Sequence, residues 1–138
     1  MKIHKFKYNE RGLNRFFGPL EAKIMNVLWE SRDSEGSIRD VQAKLEKEKD
    51  LSFNTVMTVM NRLVDKGFLT KRLQGRTSLF RPVLPKEQFL EEQSKELTHE
   101  LMEEFGPLVV SHMLDELEEA DPELMKKLEQ KIKDLKER

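Results

Sequence analysis

Apolar residues recur at three- and four-residue steps in three early stretches of the chain. These are Leu20, Ile24, Val27 and Leu28, then Ile38, Val41 and Leu45, then Val56, Val59, Met60 and Leu63. Each set lies on one face of a helix. The start signals agree with that reading. Gly18-Pro19 places Pro at a first helical position, with Glu21 near the positive end of the helix dipole. Ser37 can cap the second helix, with Asp40 three residues on as a variant of the capping box. Ser52 can cap the third, and Gly67 suits the position just past its end. Trp29 closes the first stripe, Ser31 to Gly36 reads as a polar loop, and the charged run from Glu46 to Asp50 as a turn. The pattern then shortens. Phe68 to Leu73 and Thr77 to Arg81 read as two strands around Gln74-Gly75-Arg76, whose glycine suits a hairpin turn.

Beyond Pro82 and Pro85 the character changes. A long helix is predicted from Pro85 to about Phe105, marked by Phe89, Leu90, Leu97 and Leu101 and broken by Gly106-Pro107. Leu108 to Leu117 is richly apolar, and Asp121-Pro122 restarts a helix. Leu124, Leu128, Ile132 and Leu135 then step by four, four and three, close to a heptad seam but too short to stand alone as a coiled coil. One chain offers these helices little to pack on. The economical partner is the same segment of a second copy, with Val110, Leu114, Leu124, Leu128 and Ile132 as the dimerisation residues. The expected fold is mainly α with a small β-hairpin. It comprises a basic N-terminal arm (1–17), a winged helix-turn-helix domain (18–84) and a C-terminal helical dimerisation region (85–138).

Charge sharpens this division. The chain has a net charge of −1, but residues 1–84 hold 17 Lys or Arg against 10 Asp or Glu, and residues 85–138 hold 8 against 16. A basic module joined to an acidic one suggests nucleic-acid contact by the first and a different task for the second. The third helix turns Asn54, Thr55, Thr58, Asn61 and Arg62 away from its apolar face. Short hydrogen-bonding groups opposite a buried stripe suit a helix lying in the major groove. The hairpin adds Lys71, Arg72, Arg76 and Arg81, and no acidic residue falls between Lys71 and Arg81 to neutralise its tip. The arm is basic and interrupted by Phe6, Tyr8, Phe16 and Phe17; it reads equally as a phosphate-tracking arm and as an aromatic-anchored lead-in to the first helix.

Apolar and charged residues each make up 37% of the chain, modest enough that part of it is expected to complete its core by association. Cysteine is absent, which excludes disulfides, thiolate metal sites and a thiol nucleophile, and fits a reducing cytoplasm. No transmembrane helix and no signal peptide are expected. Catalytic signals are weak. His99-Glu100-Leu101-Met102-Glu103 misses the zinc-protease helix because Glu103 stands where a second imidazole is needed. Glu91, Glu92, Glu96, Glu100, Glu103 and Glu104 read as a solvated helix face, since nothing apolar surrounds them to shift a pKa. No Gly-rich phosphate loop and no GxSxG are present. No enzyme activity, metal or cofactor is expected.

FFGPLEAKIMNVLW, SIRDVQAKL, LSFNTVMTVMNRLVDKGFL and the hairpin with RPVL resemble the penicillinase and methicillin-resistance repressor family, which also includes copper-responsive repressors. The likeness covers roughly residues 13–138 and is strongest at Ser52, Thr55, Thr58, Arg62, Leu63, Lys66 and Gly67. The resemblance implies homodimeric winged-helix repressors that bind palindromic operators. It implies base contacts for Asn54, Thr55, Met57 and Thr58, with Met57 departing from the polar residue expected there. It places Arg62 and Arg76 near phosphates, and Ser52 and Arg72 are assigned there with them. Copper-responsive members carry a C-terminal cysteine cluster, so copper sensing by that route is excluded. In β-lactam-responsive members a protease cuts the dimerisation region at Asn-Phe, and the corresponding bond here is Ser111-His112. A regulatory protease of different specificity, or no proteolysis, stays open.

The function expected is therefore that of a cytoplasmic homodimeric transcriptional repressor on palindromic promoter DNA. The alternative is a winged-helix interaction module whose acidic helices bind a protein partner. The operator sequence, the regulated genes and the inducing signal are not readable from the residues.

Overall fold

A computed structural model describes residues 12–119 and 121–138. The arm reading for residues 1–11, including Phe6 and Tyr8, lies outside the described residues. The chain divides into two compact units, Met1–Gln93 and Ser94–Arg138.

The first unit begins with a 3-10 turn, Gly12–Arg15, that leads into α1 (Pro19–Glu30). Its aromatic side chains act as anchors: Phe17 is buried, and Phe16 packs against the core. Helix α1 starts as the sequence suggests, with Pro19 in its first turn and the Glu21 carboxylate accepting the Gly18 N–H at 3.2 Å. Helix α2 (Ile38–Leu45) opens on a reciprocal capping box. The Ser37 hydroxyl accepts from the Asp40 amide at 3.1 Å, and the Asp40 carboxylate accepts from the Ser37 amide at 3.0 Å. These hydrogen bonds hold the Asp40 carboxyl below its ordinary value, the backbone amide being the larger cause.

Helix α3 (Phe53–Asp65) buries Val56, Val59, Met60 and Leu63, the stripe read from the sequence. Its end is a full Schellman motif: the Gly67 N–H donates to the Val64 carbonyl at 3.0 Å and the Phe68 N–H to the Leu63 carbonyl at 2.9 Å. Gly67 has φ +87°, a left-handed conformation that L side chains resist. Phe68 and Leu63, which the motif brings together, are both buried.

Strands β1 (Leu69–Gln74) and β2 (Thr77–Pro82) pair antiparallel from Leu69 opposite Pro82 to Gln74 opposite Thr77. Gly75 and Arg76 alone form the loop. Gly75 has φ +65° and stands first, the position that a type II′ hairpin turn gives to glycine. The polar loop before α2 also joins the sheet. Gly36 forms an isolated bridge to Phe80, with N–H to O distances of 3.1 and 2.8 Å in the two directions. A Cβ at Gly36 would stand 3.3 Å from Leu28 Cδ2, so the chain comes close to α1 here.

The unit is closed by the start of α4 (Lys86–Phe105). Phe89 is 1% exposed and lies within an aromatic cluster, stacked on Phe17 at 5.4 Å and edge-on to Phe16 and Phe68. Trp29 lies 5.5 Å from it and donates its indole N–H to the Leu84 carbonyl. Gln93, a turn beyond Phe89, is buried as well. The division of the chain therefore falls inside α4, later than the boundary at 84/85 read from the prolines.

The second unit holds the rest of α4, α5 (Pro107–Leu117) and α6 (Pro122–Lys136, capped by Asp121). Neither α5 nor α6 buries a residue. Leu108, Val110, Met113 and Leu114 on α5, and Leu124, Ile132 and Leu135 on α6, are all exposed, while Leu128 is half-buried. Ser111 and His112 lie exposed inside α5. Among the described residues no helix is long and apolar enough to cross a membrane.

Candidate nucleic-acid interface

Helix α3 carries the polar face on which base reading was expected. Ser52 caps it, its hydroxyl accepting from the Thr55 amide at 3.1 Å and lying 2.8 Å from the Thr55 hydroxyl. Thr58 donates its hydroxyl proton to the Asn54 carbonyl at 2.8 Å. Asn54, Thr55, Thr58 and Arg62 are exposed together, whereas Met57 is half-buried at the edge of that face. The helix is pinned behind this face. Lys66, its C-cap, pairs with Glu21 of α1 at 3.1 Å.

The hairpin brings Lys71, Arg72, Arg76 and Arg81 to the same unit, but they are not equally free. Glu35, from the loop before α2, meets Arg72 in a two-pronged contact at 2.8 and 2.9 Å and reaches Arg81 at 3.9 Å. An acid distant in sequence thus partners two of the hairpin cations, Arg72 and Arg81, and does not reach Arg76 at the tip. The Arg72 hydrogen bond is the largest cause holding the Glu35 carboxyl below its ordinary value, and the same bond raises Arg72. Lys71 donates to the Asn61 side-chain carbonyl at 3.0 Å, tying the wing to α3. Among the described residues no carboxylate forms an ion pair with Arg62 or Arg76.

Three contacts left no mark in the sequence reading: Glu35 on the wing, the Gly36 bridge, and Arg39 of α2 lying over the Phe53 ring at 5.4 Å. Each joins residues from separate elements, so no local period announces it. Among the described residues no group of acidic, histidine or cysteine side chains is arranged to hold a metal ion.

Three helices, the third one bearing an exposed polar face and followed at once by a cationic two-stranded wing, define a winged-helix protein. Residues 17–134 match the profile of the penicillinase repressor family. The chain belongs to that family. The transcriptional regulator BlaI of Mycobacterium tuberculosis, in each of two strains, is 36% identical to it over 66 residues, 48% of this chain and 47% of the regulator. The match thus spans about half the length of these curated relatives. Two solved structures overlap part of the fold. The solution structure of the DNA-binding domain of the repressor BlaI gives a TM-score of 0.46 at 25% identity, covering 56% of this chain and 90% of that domain. The Bacillus licheniformis BlaI monomeric form in complex with the blaP half-operator gives 0.44 at 27%, covering 51% and 84%. The fold of this chain is defined by its own helix order and hairpin rather than by those overlaps.

Proposed function

We propose that the protein is a cytoplasmic transcriptional repressor that binds palindromic promoter DNA as a homodimer. The observation that carries the reading is the exposed polar face of α3 beside a wing whose tip cation, Arg76, has no carboxylate partner among the described residues. Membership of the penicillinase repressor family supports it. In this reading Asn54, Thr55, Met57 and Thr58 face base edges. Thr58 spends its only proton inside the helix, so its oxygen is left to accept from an adenine or cytosine amino group and its methyl to touch thymine. Arg62 and Arg76 supply free cations for phosphates, Arg72 contributes from its shared position on Glu35, and Ser52 donates its hydroxyl proton, since capping uses it only as an acceptor. Phosphate contacts set position on the duplex and base contacts set sequence.

The second unit supplies the dimer. Val110, Leu114, Leu124 and Ile132 are exposed on two helices that bury nothing, and with Leu128 they form the face that a second copy would cover. Repression follows from occupying promoter DNA.

The test is a titration of the full chain against duplexes enriched from a random pool, at several salt concentrations, with sedimentation of the free protein. A dimer is expected, with affinity falling steeply as salt rises through counterion release. A monomer at micromolar concentration would remove the dimer. Absence of duplex binding at low salt would remove the DNA function.

A further inference from the structure

Beside the reading face lies a groove of about 250 Å³, lined by Ser37, Ile38 and Arg39 from the start of α2, Phe53 from α3, and Arg76, Thr77 and Ser78 from the wing. It is far roomier than the roughly 30 Å³ share of one water molecule. Two guanidinium groups from separate elements line it, and no carboxylate does. The nearest acid in sequence, Asp40, has its carboxylate turned to the Ser37 amide. Arg39 is exposed, yet its guanidinium lies over the Phe53 ring at 5.4 Å. A cation held over a ring face by this attraction still has its N–H donors to offer to an anionic acceptor.

We infer that this groove seats a backbone phosphate of the bound duplex, with Arg39 closing on it from α2 and Arg76 from the wing tip. The inference rests on the DNA-binding reading and adds to it a phosphate contact from α2 that neither the helix pattern nor the hairpin charge disclosed. A phosphodiester fits the lining better than a base does. Arg39 and Arg76 line it from two elements together with Thr77 and Ser78, and guanidinium matches phosphate geometry closely. Phe53 acts as the platform. It stands in the first turn of α3, so a phosphate held here fixes the register in which Asn54 and Thr55 meet the bases.

The experiment compares wild type, Arg39→Ala, Arg39→Lys and Phe53→Leu on two probes across a salt series: a random-sequence duplex and a duplex enriched from a random pool by the wild-type protein. Arg39→Ala should weaken both probes equally, by about tenfold, as for a lost charged hydrogen bond. Its log-log salt slope should shrink by about one per bound subunit. Arg39→Lys should keep the slope and lose part of the affinity, and Phe53→Leu should keep the slope with a loss of a few-fold. An Arg39→Ala slope equal to wild type, or a loss confined to the enriched duplex, overturns the inference. Wild-type protein that binds neither probe at low salt defeats the DNA-binding reading itself, an outcome distinct from a wild type that binds while Arg39→Ala behaves identically. Thermal midpoints of the four proteins check the fold, and midpoints within a few degrees are expected because Arg39 is exposed.

Discussion

In the proposed function, Thr58 and Arg76 serve two kinds of recognition and differ in what they have left to offer. Thr58 has already donated its proton to Asn54, and Arg76 has all its donors free of carboxylates among the described residues. Thr58→Ala is expected to relax preference at particular base positions, by about 1–3 kcal/mol if a full base contact is lost, with the salt slope nearly unchanged. Arg76→Ala is expected to weaken all sequences alike and shrink the slope by about one. Titration of each variant against the enriched duplex and its single-base variants separates the two, and exchanged behaviours would reverse the assignments. Glu35 makes a third case, legible in pH. Its folded carboxyl is depressed, chiefly by the Arg72 hydrogen bond, so its contribution is full above the unfolded titration range and is lost as pH falls through the depressed folded value. Glu35→Gln should therefore flatten the acid limb of a stability-against-pH curve measured by urea unfolding, while Asp40, depressed by its cap hydrogen bonds, keeps part of that limb in the variant. An unchanged limb would mean that the Glu35 contact does not survive in solution.

At the level of elements, most of the architecture was legible. The three helices of the first unit, the hairpin and the three later helices all lie within a residue or two of where periodicity, caps and prolines place them. Ser37, Ser52, Gly67 and Asp121 do the work their positions imply, because a cap is a local device and leaves a local signature. What the pattern could not show was allegiance. Phe89 reads as one apolar mark on a long acidic helix, yet it sits in the aromatic cluster of the first unit, since periodicity gives a face and never the neighbour on it. The Glu35 and Arg39 contacts were invisible for the same reason, their partners being 37 and 14 positions away. Phe89→Ala should cost about 3–5 kcal/mol in the unfolding of a fragment ending at Gln93, as a large buried side chain does. A fragment ending at Pro85 should be destabilised at least as much, and equal stability of the two fragments in urea would show that α4 contributes nothing to the core. Gly67→Ala should cost roughly 1–2 kcal/mol, because alanine resists the left-handed φ that the Schellman motif requires.

For the molecule as a whole, the proposed function has the second unit set how many copies act together. On the proposed dimer, removing residues 94–138 should leave a folded monomer, since the Phe89 cluster stays with the fragment. Operator binding should fall by orders of magnitude, because two half-sites would no longer share an effective concentration. A truncated chain that sediments as a dimer would refute the assignment of this surface. On that proposal, the uncovered faces of α5 and α6 would also make the protein a counting device. If its helices are finished only by a second copy, then where most chains are single the paired fraction follows the square of supply. Halving the dose then cuts the paired species roughly fourfold by mass action. Gene expression under such a protein would answer to copy number with a threshold rather than in proportion, and a reporter read across graded repressor doses would show that curvature directly.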